Sequence, residues 1–249
     1  MDVFRGLLHD LPDAGPADGG ATHPALLDRA DGWAVGPLVV GDERLSGLPD
    51  DVAVSVRVGG GAGGVATLAR RAGHLQLVGV ETVLRDLDDL AGAAARVVAA
   101  AADLPAGVDV YVEIPAASGT VDAVEVVEAA GLLGRVSLAD VRGTGGAGAQ
   151  LSVLVEADLP FKVTGLGPDP FGPYGVVGVL MAVAVLVDGA DLSEADALLH
   201  EVDEHRATVA LGAWHEATAA RVRRRLRGVD CADVAGTLDR LGAAGLLAG

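Results

Sequence analysis

The chain has one cysteine, Cys231, and one lysine, Lys162, in 249 residues. A single thiol excludes an internal disulfide and any cysteine cage around a metal. Aromatic residues make up only 3%, so a core must be built from Val, Leu and Ala. Basic residues are scarce as well, 18 against 35 acidic ones, which leaves a formal net charge of −17. That balance lacks the basic footprint that nucleic acid and anionic membrane surfaces require. No apolar run reaches the ~20 residues of a membrane span. The most apolar stretch, residues 174–187, carries glycines and reads as a buried helix. Residues 1–10 lack the basic flank and long apolar stretch of a signal peptide. The expectation is a soluble cytoplasmic protein whose partner is a small anionic metabolite, not nucleic acid or a membrane. Self-association into a homo-oligomer is left open.

What is present is an alternation of strand and helix patterns, over a length suited to one large α/β domain. Candidate strands are residues 37–40, 52–58, 75–80, 108–114, 135–141 and 160–164, with a weaker one at 208–211. Helical patterns fill most gaps, among them two final helices at about 213–226 and 231–241. Residues 1–35 read as an N-terminal helical and loop segment, and no domain boundary interrupts residues 1–249.

Alternation of this kind implies a parallel sheet. An open parallel sheet, covered on both faces, has strands that are apolar almost throughout. Here Val54, Val56 and Val58 alternate with Ser55 and Arg57, and Val110, Val112 and Ile114 with Tyr111 and Glu113. Leu138, Asp140 and Arg142 share one parity, as do Lys162 and Thr164. One face of each strand turns polar toward its C-terminal end, where a (β/α)8 barrel carries its site. The expected fold is an irregular or incomplete (β/α)8 TIM-like barrel with a short N-terminal helical segment. It is irregular because the first two strands are about ten residues apart, too close for a crossover helix, and because no clear strand lies between Thr164 and Thr208.

Lys162 stands out chemically. It lies in Leu159-Pro160-Phe161-Lys162-Val163-Thr164-Gly165, an apolar run, whereas the other seventeen fixed cations are arginines. A buried primary amine is costly unless paired, and its proton affinity responds to its surroundings. Arg57, Glu81, Glu113, Asp140, Arg142 and Lys162 end successive strands, so a barrel would gather them in one mouth. There Lys162 could form a Schiff base with a carbonyl compound, with Glu113 and Asp140 moving protons. Arg57 and Arg142 would clamp an anionic group. Thr164, Tyr111 and Glu81 belong to the same faces, and backbone N–H groups of Gly145 and Gly146 could contact a phosphate. The competing reading is an ion-pair network that fills a non-catalytic barrel, one that binds a small anion or another subunit. A third reading uses Glu81, Glu113 and Asp140 as Mg²⁺ ligands with Lys162 as base, as in enolase-type barrels. Arg57 occupies the place of an expected lysine there, and the N-terminal part is too small for a capping domain. Neither a metal nor a cofactor is therefore expected.

Gly59-Gly60-Gly61-Ala62-Gly63-Gly64 satisfies the Gly-x-Gly-x-x-Gly dinucleotide pattern after a strand. Glycine is 36 of 249 residues, about twice the usual share, so the pattern discriminates poorly. A loop at a barrel mouth fits it better. His200, His205 and His215 form no metal pattern, Arg221 to Arg227 reads as a solvated helix face, and Cys231 reads as a buried structural thiol.

From Val108 onward the chain resembles a family of uncharacterised bacterial proteins, common in actinobacteria, with a TIM-barrel-like α/β reading. The resemblance covers residues 108–247. It rests on Tyr111-Val112-Glu113-Ile114-Pro115, Val141-Arg142-Gly143-Thr144-Gly145-Gly146, Pro160-Phe161-Lys162-Val163-Thr164 and the stretch from Asp230-Cys231-Ala232-Asp233 to Leu241-Gly242. It implies the fold and supplies no reaction. Family members follow Lys-x-Thr with Ala-Gly-Leu-His-His, whereas this chain has Gly165-Leu166-Gly167-Pro168-Asp169-Pro170, so a role for that histidine pair does not carry over. The Lys-x-Thr strand is also loosely similar to the lysine strand of class I aldolases such as deoxyribose-phosphate aldolase. That likeness implies lyase or isomerase chemistry.

Overall fold

Eight short strands, each with one apolar and one mixed face, close on one another in a computed structural model that describes residues 2–12, 19–71, 73, 75–141 and 146–247. The strands are β1 (Leu8–Asp10), β2 (Val35–Gly41), β3 (Ala53–Arg57), β4 (Gln76–Val83), β5 (Asp109–Glu113), β6 (Leu133–Ser137), β7 (Phe161–Thr164) and β8 (Leu226–Cys231). They pair in chain order, all parallel, and β1 closes the ring against β8. The barrel is complete, so "incomplete" does not describe it.

The helices are α1 (Gly19–Leu27), α2 (Gly61–Arg71), α3 (Leu90–Ala101), α4 (Thr120–Ala129), α5 (Leu138–Val141), α6 (Ala147–Glu156), α7 (Val176–Val187), α8 (Leu192–His200), α9 (Glu204–Gly212), α10 (Glu216–Arg225) and α11 (Val234–Ala243). Valines at even positions of the strands, such as Val54, Val56, Val80, Val110, Val112 and Val136, belong to the buried apolar core. α7, the most apolar helix, is buried along most of its length. No helix among the described residues is long and apolar enough to cross a membrane.

The irregularities have local causes. Only a 3-10 turn, Asp42–Arg44, lies between β2 and β3, which matches their close spacing in sequence. Between β7 and β8 the chain forms four helices, α7 to α10, and no strand. The weak strand at 208–211 is part of α9, capped at its start by Asp203, whose carboxylate accepts from Arg206 N. The candidate strand at 135–141 stops at Ser137 because the chain turns into α5 at Leu138. Two strands, β1 and β8, fall where helices or loops were expected.

Both unexpected strands are shaped by one side chain. His9 of β1 is buried, between glycines on each side. A Cβ at Gly228 of β8 would come within 2.2 Å of His9 Nε2, and one at Gly36 of β2 within 2.5 Å of His9 Cδ2. Glycine at both positions makes room for the imidazole. It also removes the apolar alternation that would have marked β8 as a strand.

Candidate active site

Strand register gathers the inward residues. Arg57 is opposite Glu81, and Glu81 is opposite Tyr111. Glu113 is opposite Arg135, Arg135 opposite Lys162, and Lys162 opposite Gly228. These odd-numbered positions on β3 to β6, with the even-numbered ones on β7 and β8, form the polar filling of the barrel. Lys162, Glu81 and Asp230 are at its centre, at 0%, 1% and 2% exposure.

Lys162 is held by two carboxylates. Its Nζ donates to Glu81 Oε1 and lies 2.6 Å from Asp230 Oδ1. The same amine stands 5.3 Å from the centroid of the Tyr111 ring, within cation–π range. Glu81 also accepts from Ser55 Oγ at 3.0 Å and from Arg57 Nε at 3.0 Å. The Arg57 Nη2 group bridges Asp230 Oδ2 and the Thr164 hydroxyl, the latter at 2.8 Å. Arg135 completes the ring, with Nη1 2.8 Å from Glu113 Oε2 and Nε 3.4 Å from Glu81 Oε2.

Three cations, Lys162, Arg57 and Arg135, therefore meet three anions, Glu81, Asp230 and Glu113. Burial alone would raise the proton affinity of Glu81. Lys162, Arg57 and Arg135 outweigh it and hold the carboxyl well below the usual carboxylate range. Exposure is uneven across the set. The side chains of Arg57, Glu113 and Arg135 keep 28%, 19% and 14% of their surface open, while Lys162 keeps none. The lysine is thus the most deeply buried cation of the set, and the two arginines beside it are part-open.

Among the residues expected to form the site, the structure brings Lys162, Glu81, Arg57, Thr164 and Tyr111 into contact and places Glu113 beside them through Arg135. Tyr111 does not face the mouth with its hydroxyl, which donates to Asp109 Oδ2 at 3.2 Å. Burial, then the Asp109 charge, raises the pKa of that phenol. Asp140 lies on α5 beyond the end of β6, and its side chain falls outside the described residues, as do Arg142 and Gly145. Gly146 precedes α6 as its N-terminal cap. The Gly59–Gly64 stretch is a turn that runs into α2 at Gly61, after the C-terminal end of β3.

Sequence reasoning missed Asp230, Arg135, Ser55 and His9. Ser55 and Arg135 occupy the inward parity of β3 and β6, which was the available signal. For Asp230 the signal was weaker, a carboxylate two residues after a glycine. His9 Nδ1 lies 3.9 Å from Asp230 Oδ1 and makes no hydrogen bond. Burial first, and the Lys162 charge second, lower its pKa well below the ordinary value of 6.5. Next to it on β1, Asp10 Oδ2 bonds His23 Nδ1 at 3.0 Å, a buried pair that ties α1 to the barrel.

The other singled-out groups have structural partners. Cys231 is buried, with Sγ 3.2 Å from Thr237 Oγ1, and burial raises its pKa. His200 bonds Tyr174 Oη at 2.8 Å and the Asp196 carbonyl at 2.7 Å. Arg223 departs from a solvated face. It donates to the Leu226 and Arg5 carbonyls, and burial lowers its pKa to about 10. No three His, Cys, Asp or Glu residues among those described converge with metal-holding geometry. Glu81, the central acid of the Mg²⁺ reading, is instead surrounded by cations. No known family model matches the chain, and no curated protein matches its sequence.

Proposed function

We propose that the barrel mouth binds a small anionic carbonyl compound and acts on it as a lyase, aldolase-like enzyme or isomerase, with Lys162 as the amine. One observation carries this reading: the chain's only lysine lies at zero exposure between two buried carboxylates, beside part-open arginines. Arg57 and Arg135 would receive the anionic group. Asp230, 2.6 Å from Nζ, takes a proton from the ammonium, and the neutral amine adds to the carbonyl carbon. The carbonyl oxygen leaves as water with that proton and a second one from the nitrogen, and a protonated imine with one N–H remains. This imine carries the single positive charge the ammonium had. Glu81 and Asp230 therefore stabilise it without rearrangement, which is electrostatic preorganisation. Glu113, oriented by Arg135 near the rim, is the candidate base for a proton on the adjacent carbon.

A second reading, a non-catalytic anion-binding barrel, draws on the same complete pairing of Lys162. Exchange of protons next to the carbonyl separates the two, because a protonated imine makes them far more acidic than the free carbonyl does and passive binding does not. In D2O, followed by NMR over a panel of 2-oxo acids and phosphorylated ketones, the wild-type chain is expected to catalyse exchange. The Lys162→Met variant should lose it by at least about 100-fold, the lower end expected for a positioned catalytic group. Binding without exchange for every member of the panel would overturn the enzymatic reading and leave the binding barrel.

A further inference from the structure

Two strands leave out side chains so that one imidazole fits inside the barrel. A Cβ at Gly228 or at Gly36 would run into the His9 ring. His9 is opposite Asp230 in the register of β1 and β8, so both point into the same interior. Its Nδ1 lies 3.9 Å from Asp230 Oδ1, the oxygen that has the Lys162 ammonium 2.6 Å away. Both Nδ1 and Oδ1 are buried, and neither makes a hydrogen bond. A protonated Nδ1 would close the gap to a charge-assisted bond of about 2.7–2.9 Å. The open gap therefore marks an acceptor, an Nδ1 lone pair held beside a carboxylate. Leaving such a nitrogen unpartnered in a core is costly, and an apolar side chain of similar size would avoid it.

An ammonium is no nucleophile, and Lys162 is fully buried, so its proton needs an acceptor inside the barrel. A carboxylate is a weak one; an imidazole ordinarily binds a proton more tightly by about 2.5 pH units. We propose that His9 is the proton depot of this site: through Asp230 it accepts the proton that Lys162 loses, and it returns that proton as water departs. The assignment rests on the imine reading above. In the first transfer an Nζ–H bond breaks and an Nδ1–H bond forms, and Asp230 is a carboxylate before and after. The interior still holds three cations against three anions, with His9 in place of Lys162. The neutral amine then adds to the carbonyl carbon, and one N–H proton moves to the oxygen. The proton stored on His9 completes the departing water, leaving a protonated imine with one N–H. His9 touches no substrate, so it is a positioning residue that acts through Asp230.

Electrostatics favours this order of events. Lys162 on β7, Glu81 on β4, Asp230 on β8 and Arg223 on α10 are the charged groups that face the ring, and β2 presents only Gly36 to it. Burial first, then the Lys162 charge, keeps the proton off His9; Glu81 opposes them and Arg223 adds to them. Once the amine is neutral, the second cause is gone while Glu81 and Asp230 remain. His9 thus becomes a better acceptor as Lys162 gives its proton up.

The rate of imine formation, read by cyanoborohydride trapping on Lys162 across the same panel of carbonyl compounds, tests this step. His9→Gln is expected to slow trapping by about 100-fold near neutral pH, with the deficit closing as pH rises and hydroxide takes the proton instead. Equal rates in the two chains, or a loss that is the same at every pH, would overturn the depot and leave the imine reading standing. No trapping in wild type would reject the imine reading, and the depot with it. A second measurement needs neither a His9 variant nor a carbonyl compound. By NMR titration of the imidazole signals, His9 should take its proton at higher pH in Lys162→Met than in wild type. An unchanged titration would mean that the ring does not sense the amine, which rejects the depot even where trapping succeeds.

Discussion

Lys162→Met is expected to destabilise the chain by about 3–5 kcal/mol, because it strands Glu81 and Asp230 as buried carboxylates without their shared cation. Methionine nearly preserves the volume, so the loss reports charge and not a cavity. Burying an ion pair is itself costly, and much of the attraction in such a pair only offsets the desolvation of its members. Replacing the whole set by neutral near-isosteres should therefore recover most of the loss. The triple variant Lys162→Met, Glu81→Gln, Asp230→Asn is predicted to unfold in urea much closer to wild type than the single variant does. A loss below about 1 kcal/mol for Lys162→Met would mean that the two carboxylates find other compensation. Arg57, which already touches both, would be the candidate.

Acid should weaken the fold well before ordinary carboxylates titrate. His9 is neutral in the folded barrel because burial, and then the Lys162 charge, depress its pKa, opposed by Glu81 and reinforced by Arg223. Asp230 is the remaining charged group that faces it. A depressed folded pKa means that the unfolded chain binds the proton first. The stability tied to neutral His9 is complete above the unfolded value of about 6.5 and is lost as pH falls toward the folded value. The slope for one such group is at most about 1.4 kcal/mol per pH unit, and the loss runs from about pH 6.5 down to the folded value. Glu81 follows the same sign in a lower window. Its ion-paired carboxylate contributes fully above about 4.5, and that contribution drains away below it. Urea unfolding from neutral pH downward should show His9→Gln with a flatter pH dependence than wild type below about pH 6.5. Parallel curves for the two chains would place the proton uptake elsewhere.

Much of the barrel was legible because β3 and β5 alternate valine with polar residues, a pattern that a parallel sheet covered on both faces does not permit. That parity pointed to Arg57, Glu113 and Lys162 as inward groups, and they are. It failed at β6, where α5 begins at Leu138 and ends the alternation four residues early. The inward cation of that strand is Arg135. β8 was hidden because its inward positions are Gly228 and Asp230, chosen by the His9 ring and the Lys162 amine and not by apolar packing. β1 has only three residues, too few for any period to be read. Local pattern reports the faces that water and aliphatic neighbours select. It is silent where a residue is selected by one distant side chain.

Reductive trapping tests the central claim most directly. The chain has one lysine besides its N-terminal amine, so a borohydride-reduced adduct has few places to form. With 2-oxo acids or phosphorylated carbonyl compounds and borohydride, one adduct is predicted on the peptide containing Lys162 by mass spectrometry, and none in Lys162→Met. Absence of any adduct at Lys162, under conditions that label a class I aldolase, would contradict the assignment of this amine as the reactive centre.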